Sequence, residues 1–145
     1  MRSKLTALAV SAMLLSTTVL FAQDRTIHTV VPFDGSSLAV NSTNYSPTID
    51  LWGYQPFSFN YALQLQATNA TSTNVGIVAV SCDLSNDGVT FPLTTNIVSG
   101  FSFTNSPTAG GNGLYQFSSG VCRYLRFKAI VTTTNSFLKA ILIIQ

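Results

Sequence analysis

The sequence predicts an all-β protein: a single antiparallel β-sandwich of the jelly-roll kind, behind an N-terminal signal helix. Three observations carry this. Apolar and polar residues alternate with period two in several segments. Clusters of Gly, Pro, Asn, Asp and Ser separate those segments at short intervals. After residue 22 no stretch shows the spacing of an amphipathic helix.

The chain has 145 residues and opens with Arg2 and Lys4. An apolar run follows from Leu5 to Phe21, broken by Ser11, Ser16, Thr17 and Thr18. Ala22, Gln23 and Asp24 then turn polar, which is the order of a secretory signal. Residues 1–22 are therefore expected to be a signal peptide and 23–145 the β-sandwich domain. The competing reading is a retained anchor, because the run approaches the roughly 18 residues of a spanning helix. The signal reading implies a secreted, periplasmic or cell-surface protein, with no membrane contact once the signal is cleaved.

Within the domain, strands are expected at Thr26–Val31, Ser37–Val40 and Thr48–Trp52. The clearest segment is Phe57–Ala67, with Phe57, Phe59, Tyr61, Leu63 and Leu65 on one face and Ser58, Asn60, Gln64 and Gln66 on the other. A second runs from Val75 to Leu84, with Val78, Val80, Cys82 and Leu84 on its core face. Further strands are expected at Val89–Leu93, Gly100–Thr104, Leu114–Phe117, Arg123–Thr132 and Phe137–Ile144, with Gly110–Gly113 as a flexible loop. The last strand is apolar on both faces apart from Lys139. Two readings account for it: a central strand covered on its outer side, or an interface with another subunit, making a homo-oligomer through the C-terminal strand.

Without Arg2 and Lys4, five basic residues face five aspartates, and there is no Glu. No basic field exists to attract phosphates, so no nucleic acid partner is expected. Only 8% of residues are charged while 46% are hydrophobic. Solubility then depends on Ser, Thr, Asn and Gln, and little charge repulsion opposes self-association.

The stretch Ser85-Asn86-Asp87-Gly88-Val89-Thr90-Phe91 reads as a tight turn between strands. Gly88 supplies positive φ, Asn86 or Asp87 bonds the turn backbone, and Phe91 is expected to return to the core side. As a calcium loop it is poor in carboxylates, with only Asp83 and Asp87 nearby, so no metal is expected. The pattern Ser-x-Asp-Gly-x-x-aromatic resembles the hairpin of discoidin-like and related galactose-binding-type jelly rolls, with Phe91 where Trp is commoner. Arg123-Tyr124-Leu125-Arg126-Phe127 is similar to a second strand of those domains, and small phage and bacterial surface β-sandwiches carry similar pairs. The resemblance implies the jelly-roll fold and a ligand held on end loops.

Catalytic residues are not expected. His28 is the sole histidine, no nucleophile elbow occurs, nothing pairs two carboxylates, and no phosphate-cradling or zinc pattern is present. No cofactor is expected. Cys82 and Cys122 suit a disulfide in an oxidising compartment, although strand parity sets them on opposite faces unless the chain is irregular after Val121. The remaining lead is aromatic. Trp52, Tyr54 and Phe57 flank Gly53 and Pro56, with Tyr45 and Tyr115 as further candidates. Exposed, such rings stack on the C–H face of a sugar; buried, they fill the end of the sandwich. The function expected is a non-catalytic interaction module binding a glycan, another surface polymer or a surface protein. The alternative is a self-assembling structural subunit of an appendage, coat or virion surface.

Overall fold

The computed structural model describes residues 27–54, 60–69, 75–103, 111–118 and 120–144. The signal segment, Phe57, Phe59 and Gly110 lie outside them. Within them the alternation of the sequence becomes nine strands: β1 (His28–Leu38), β2 (Thr43–Tyr45), β3 (Ile49–Asp50), β4 (Asn60–Asn69), β5 (Gly76–Ser85), β6 (Leu93–Phe103), β7 (Gly111–Ser118), β8 (Tyr124–Val131) and β9 (Ser136–Ile144). A four-stranded sheet has the order β1-β9-β4-β7, and a five-stranded sheet has the order β2-β8-β5-β6 with β3 also on β8. Every pairing is antiparallel.

The core lies between the sheets, where period two sends alternate side chains. β4 contributes Tyr61, Leu63, Leu65 and Ala67, and β9 contributes Leu138, Ala140, Leu142 and Ile144. They face Val78, Val80, Cys82 and Leu84 of β5 and Leu125, Phe127, Ala129 and Val131 of β8. β8 and β9 are adjacent in sequence yet sit inside different sheets. Their link, Thr132–Asn135, is a collecting point. Thr132 N–H donates to the Ile77 carbonyl (3.1 Å), Ile77 N–H to Thr133 Oγ1 (3.0 Å), Thr134 Oγ1 to Asn69 Oδ1 (2.8 Å) and Val40 N–H to Asn135 Oδ1 (2.9 Å).

Several expectations are corrected. Thr26–Val31 and Ser37–Val40 are not separate strands: β1 runs from His28 to Leu38 along β9 and absorbs Pro32 and Gly35 at two register shifts. Thr48–Trp52 is strand only at Ile49–Asp50, because Asp50 caps a 3-10 turn, Leu51–Gly53, by accepting the Trp52 N–H. Gly111 and Gly113 are not loop but strand, opposite Ala67 and Leu65. A Cβ at Gly111 would sit 2.6 Å from Phe103 Cβ, and one at Gly113 would sit 2.6 Å from the Tyr115 ring, so these glycines make room for aromatic packing. Val89–Pro92 is not strand, and the next strand begins at Leu93.

Candidate ligand-binding face

β8 organises the outer face of the five-stranded sheet. Its inward residues are buried, so Tyr124, Arg126 and Lys128 project outward. Asp50 stands opposite Tyr124, Tyr45 opposite Lys128, and Asp83 opposite Arg126. The register thus sets two arginines among aromatics and aspartates.

At one end, Arg123 donates from Nε to Asp50 Oδ1 (3.3 Å) and from Nη2 to Asp50 Oδ2 (3.1 Å). These bonds, with the Trp52 N–H, hold the Asp50 carboxyl below the usual carboxylate range. The Arg123 guanidinium lies 5.5 Å from the centroid of the Trp52 ring and 4.8 Å from that of Tyr124. Trp52 is 70% exposed. Both members of the ion pair are nearly half exposed, so the pair orients groups more than it stabilises the fold.

Further along the strand, Arg126 lies 4.2 Å from the Tyr45 ring and 4.0 Å from Phe91. Its Nε and Nη2 each reach Asp83 Oδ2 at 3.4 Å, and Thr94 Oγ1 donates to Asp83 Oδ1 (2.8 Å). Asp83 is buried, and this charge-assisted set satisfies it. Phe91 therefore does not return to the core side. It crosses the outer face and packs on a cation, an arrangement that stabilises both groups.

The Ser85–Phe91 turn explains how Phe91 gets there. Asp87 Oδ1 accepts from Ser85 Oγ (2.7 Å), Val89 N–H (2.9 Å) and Thr90 N–H (2.8 Å). The Ser85 hydroxyl bond, then those backbone bonds, bring the Asp87 carboxyl down to about 2. Gly88 sits at φ 74°, its α-carbon turned so that a Cβ would lie 3.4 Å from the Tyr124 ring. Asn86 Oδ1 accepts the Arg123 N–H (3.2 Å). The Ser85–Phe91 turn and the Arg123–Phe127 segment, far apart in the chain, thus meet here.

The four aromatic candidates separate. Trp52 and Tyr45 share the face with Arg123 and Arg126. Tyr54 packs at the core margin, edge-on to His28 with centroids 5.0 Å apart. Tyr115 stands opposite the buried Leu63 on the inner side of β7 and meets Phe101 edge-on at 6.4 Å. Tyr115 is therefore a packing residue away from the platform. Sequence reasoning missed the Tyr45–Arg126–Phe91 cluster. Its signal was the outward parity of Tyr124, Arg126 and Lys128; the position of Phe91 depended on the turn's exit direction.

Cys82 and Cys122 are not joined to each other, where a disulfide was expected. Cys82 pairs with Phe127, well inside β8, while Cys122 precedes the start of that strand. Cys122 does pack against the core, because the chain is irregular after Gly120, at φ 68°. Burial pushes the Cys82 thiol up to about 12, so it is a packing group.

An exposed indole beside a guanidinium and a carboxylate can stack on one face of a saccharide and bond its hydroxyls. The fold that carries it is an all-β, two-sheet antiparallel sandwich of the jelly-roll kind. The sequence matches no protein-family model and no curated protein. Solved structures share the fold. The VP2 subviral particle of infectious bursal disease virus is similar at TM-score 0.55 and 9% identity, over 84% of this chain and 33% of that one. The T13 particle of the same virus gives 0.54 and 12% identity, over 84% of this chain and 32% of that one. Tripeptidyl peptidase 2 gives 0.58 and 14% identity, over 83% of this chain and 10% of that one. The chain spans a third or less of each.

Proposed function

We propose that the chain is an exported, non-catalytic interaction module that receives a glycan or other surface polymer on the outer face of its five-stranded sheet. The observation that carries this reading is Trp52, exposed over 70% of its surface and held in place by Asp50 and Arg123. A large ring left in water but fixed by its backbone and neighbours binds with little loss of side-chain freedom. The resemblance to galactose-binding-type jelly rolls supports the same ligand class.

Trp52 is the single tryptophan, so its fluorescence reports this one place. Titration with oligosaccharides and cell-surface polysaccharides should shift a solvent-exposed, acrylamide-quenchable emission. Trp52→Ala should weaken binding by about 1–3 kcal/mol. Retention on those polymers that is equal for wild type and Trp52→Ala would count against the platform.

A second reading, a self-assembling structural subunit, is favoured by the other outer face. There Phe137, Ile141 and Ile143 of β9 are only partly covered, and Leu114 of β7 is exposed. A viral particle built with this kind of sandwich is consistent with it.

A further inference from the structure

The triplet Asn-x-Ser/Thr, with x any residue but proline, is the acceptor pattern for N-linked glycans. It occurs at Asn41-Ser42-Thr43, Asn44-Tyr45-Ser46 and Asn69-Ala70-Thr71. The fold treats the three asparagines differently. Asn69 is 5% exposed, and its Oδ1 accepts from Thr134 Oγ1 (2.8 Å) and Ser136 Oγ (3.4 Å). Asn44 is half-buried, and its amide nitrogen donates to Ser42 Oγ (2.8 Å). The Ser46 hydroxyl of the same triplet is engaged as well, donating to the Pro47 carbonyl (2.9 Å) and accepting the Phe127 N–H (2.9 Å). Asn41 stands apart. It is the third residue of the turn Ala39–Ser42, which Ser42 N–H closes on the Ala39 carbonyl (3.2 Å), and it sits at φ 59°. A β-turn with positive φ at that position suits asparagine. The Asn41 backbone is fixed, its N–H donating to the Val131 carbonyl (2.7 Å). The residue is exposed, and its carboxamide makes no hydrogen bond among the described residues. Thr43, at the start of β2, is exposed too.

We infer that Asn41 is a site of N-glycosylation. The step is a glycosyl transfer from a lipid-linked oligosaccharyl pyrophosphate. The Asn41 Nδ2 bonds to the anomeric carbon, the anomeric C–O bond to pyrophosphate breaks, the amide gives up one proton, and the lipid pyrophosphate departs. The transfer needs a chain carried into a secretory compartment, and so rests on the export part of the proposed function. The place of the turn suits a bulky hydrated group. Asn41 is bonded at the end of β8, at Val131, whereas Trp52 and Arg123 lie where β8 begins. A glycan on Asn41 therefore leaves the aromatic face open. It screens the short β2 edge and adds hydrated surface to a chain of which only 8% of residues are charged. A glycan on Asn69 has no such room, so a folded chain carries none there.

The test is expression of the full chain in a eukaryotic secretory host, in two forms: with its own N-terminal segment, and with residues 1–22 exchanged for a signal peptide known to direct export. Glycopeptide mass spectrometry should find a glycan on Asn41, removable by peptide N-glycosidase, and none on Asn69. Asn41→Asp, which positive φ tolerates, should abolish it. Thr43→Val should abolish it as well, and Thr43→Ser should retain it. Trp52 emission equal to that of wild type shows that each variant is folded. A bare Asn41 in both forms overturns the inference. So does a glycan that persists on Asn41 in Thr43→Val, or one carried by Asn44 or Asn69 of the folded chain in its place. A glycan on Asn41 in the exchanged form alone leaves the acceptor standing and sinks the export reading.

Discussion

β8 and β9 follow one another in the chain and share one inner pattern, yet their outer sides differ completely. Both are central, both strictly alternate, and both send four buried apolar residues into the core. Outward, β8 presents Tyr124, Arg126 and Lys128, while β9 presents Phe137, Lys139, Ile141 and Ile143. The β8 side pairs both of its arginines locally, Arg126 with Asp83 and Arg123 with Asp50, and covers the guanidinium groups with rings. Among the described residues, the β9 side has one ion pair, Lys139 with Asp34 at 3.8 Å, and otherwise mostly amides, hydroxyls and hydrocarbon. Inner alternation sets the sandwich. The outer sides differ in chemistry: paired arginines and rings on β8, amides and hydrocarbon beside β9.

The largest effect should come from the side the two strands share. Phe127→Ala should cost about 3–5 kcal/mol in denaturant unfolding, since Phe127 is fully buried between the sheets. A loss below about 1 kcal/mol would mean the two inner faces do not form one core. The outer sides should then diverge. Arg126→Ala removes the partner of the buried Asp83 and the support of Tyr45 and Phe91, and should cost about 2 kcal/mol. Ile141→Ser should cost less than about 1 kcal/mol, because Ile141 is only half-buried. Equal losses would erase the contrast. Gly88→Ala forces a side chain to φ 74° against the Tyr124 ring and should cost about 1 kcal/mol.

The smallest effect is one of pH. The Asp87 carboxyl lies at about 2, below its ordinary 3.8. A lowered carboxylate adds stability that is complete above the unfolded-state value and is lost as pH falls through the folded one. The melting temperature should therefore decline between pH 4 and pH 2, and Asp87→Asn should remove part of that decline. An identical slope in both proteins would show that the carboxylate charge does not support the turn.

Period two made β4, β5, β8 and β9 legible, because a strand with one face on a core must alternate. The turn at Gly88 was legible for the same local reason. What the sequence hid was decided at longer range. Gly111 and Gly113 look like loop until Phe103 and Tyr115 are seen occupying the space beside them. Pro32 and Gly35 look like a break until β9 is seen running past both. Phe91 looks like core until Arg126 supplies a better partner outside. At the candidate site Trp52 and Tyr45 were found by residue type alone, but the arginines that join them to one face required the β2–β8 and β3–β8 registers.

The placement of β8 and β9 at the heart of separate sheets also governs when the protein can fold. β1, β2, β3 and β4 all wait for partners from later in the chain, and among the described residues only β5 and β6 pair as strands adjacent in sequence. Such long-range closure is slow. On a ribosome neither sheet can be completed until β8 and β9 emerge. The order of the strands thus ties completion of both sheets to the arrival of β8 and β9.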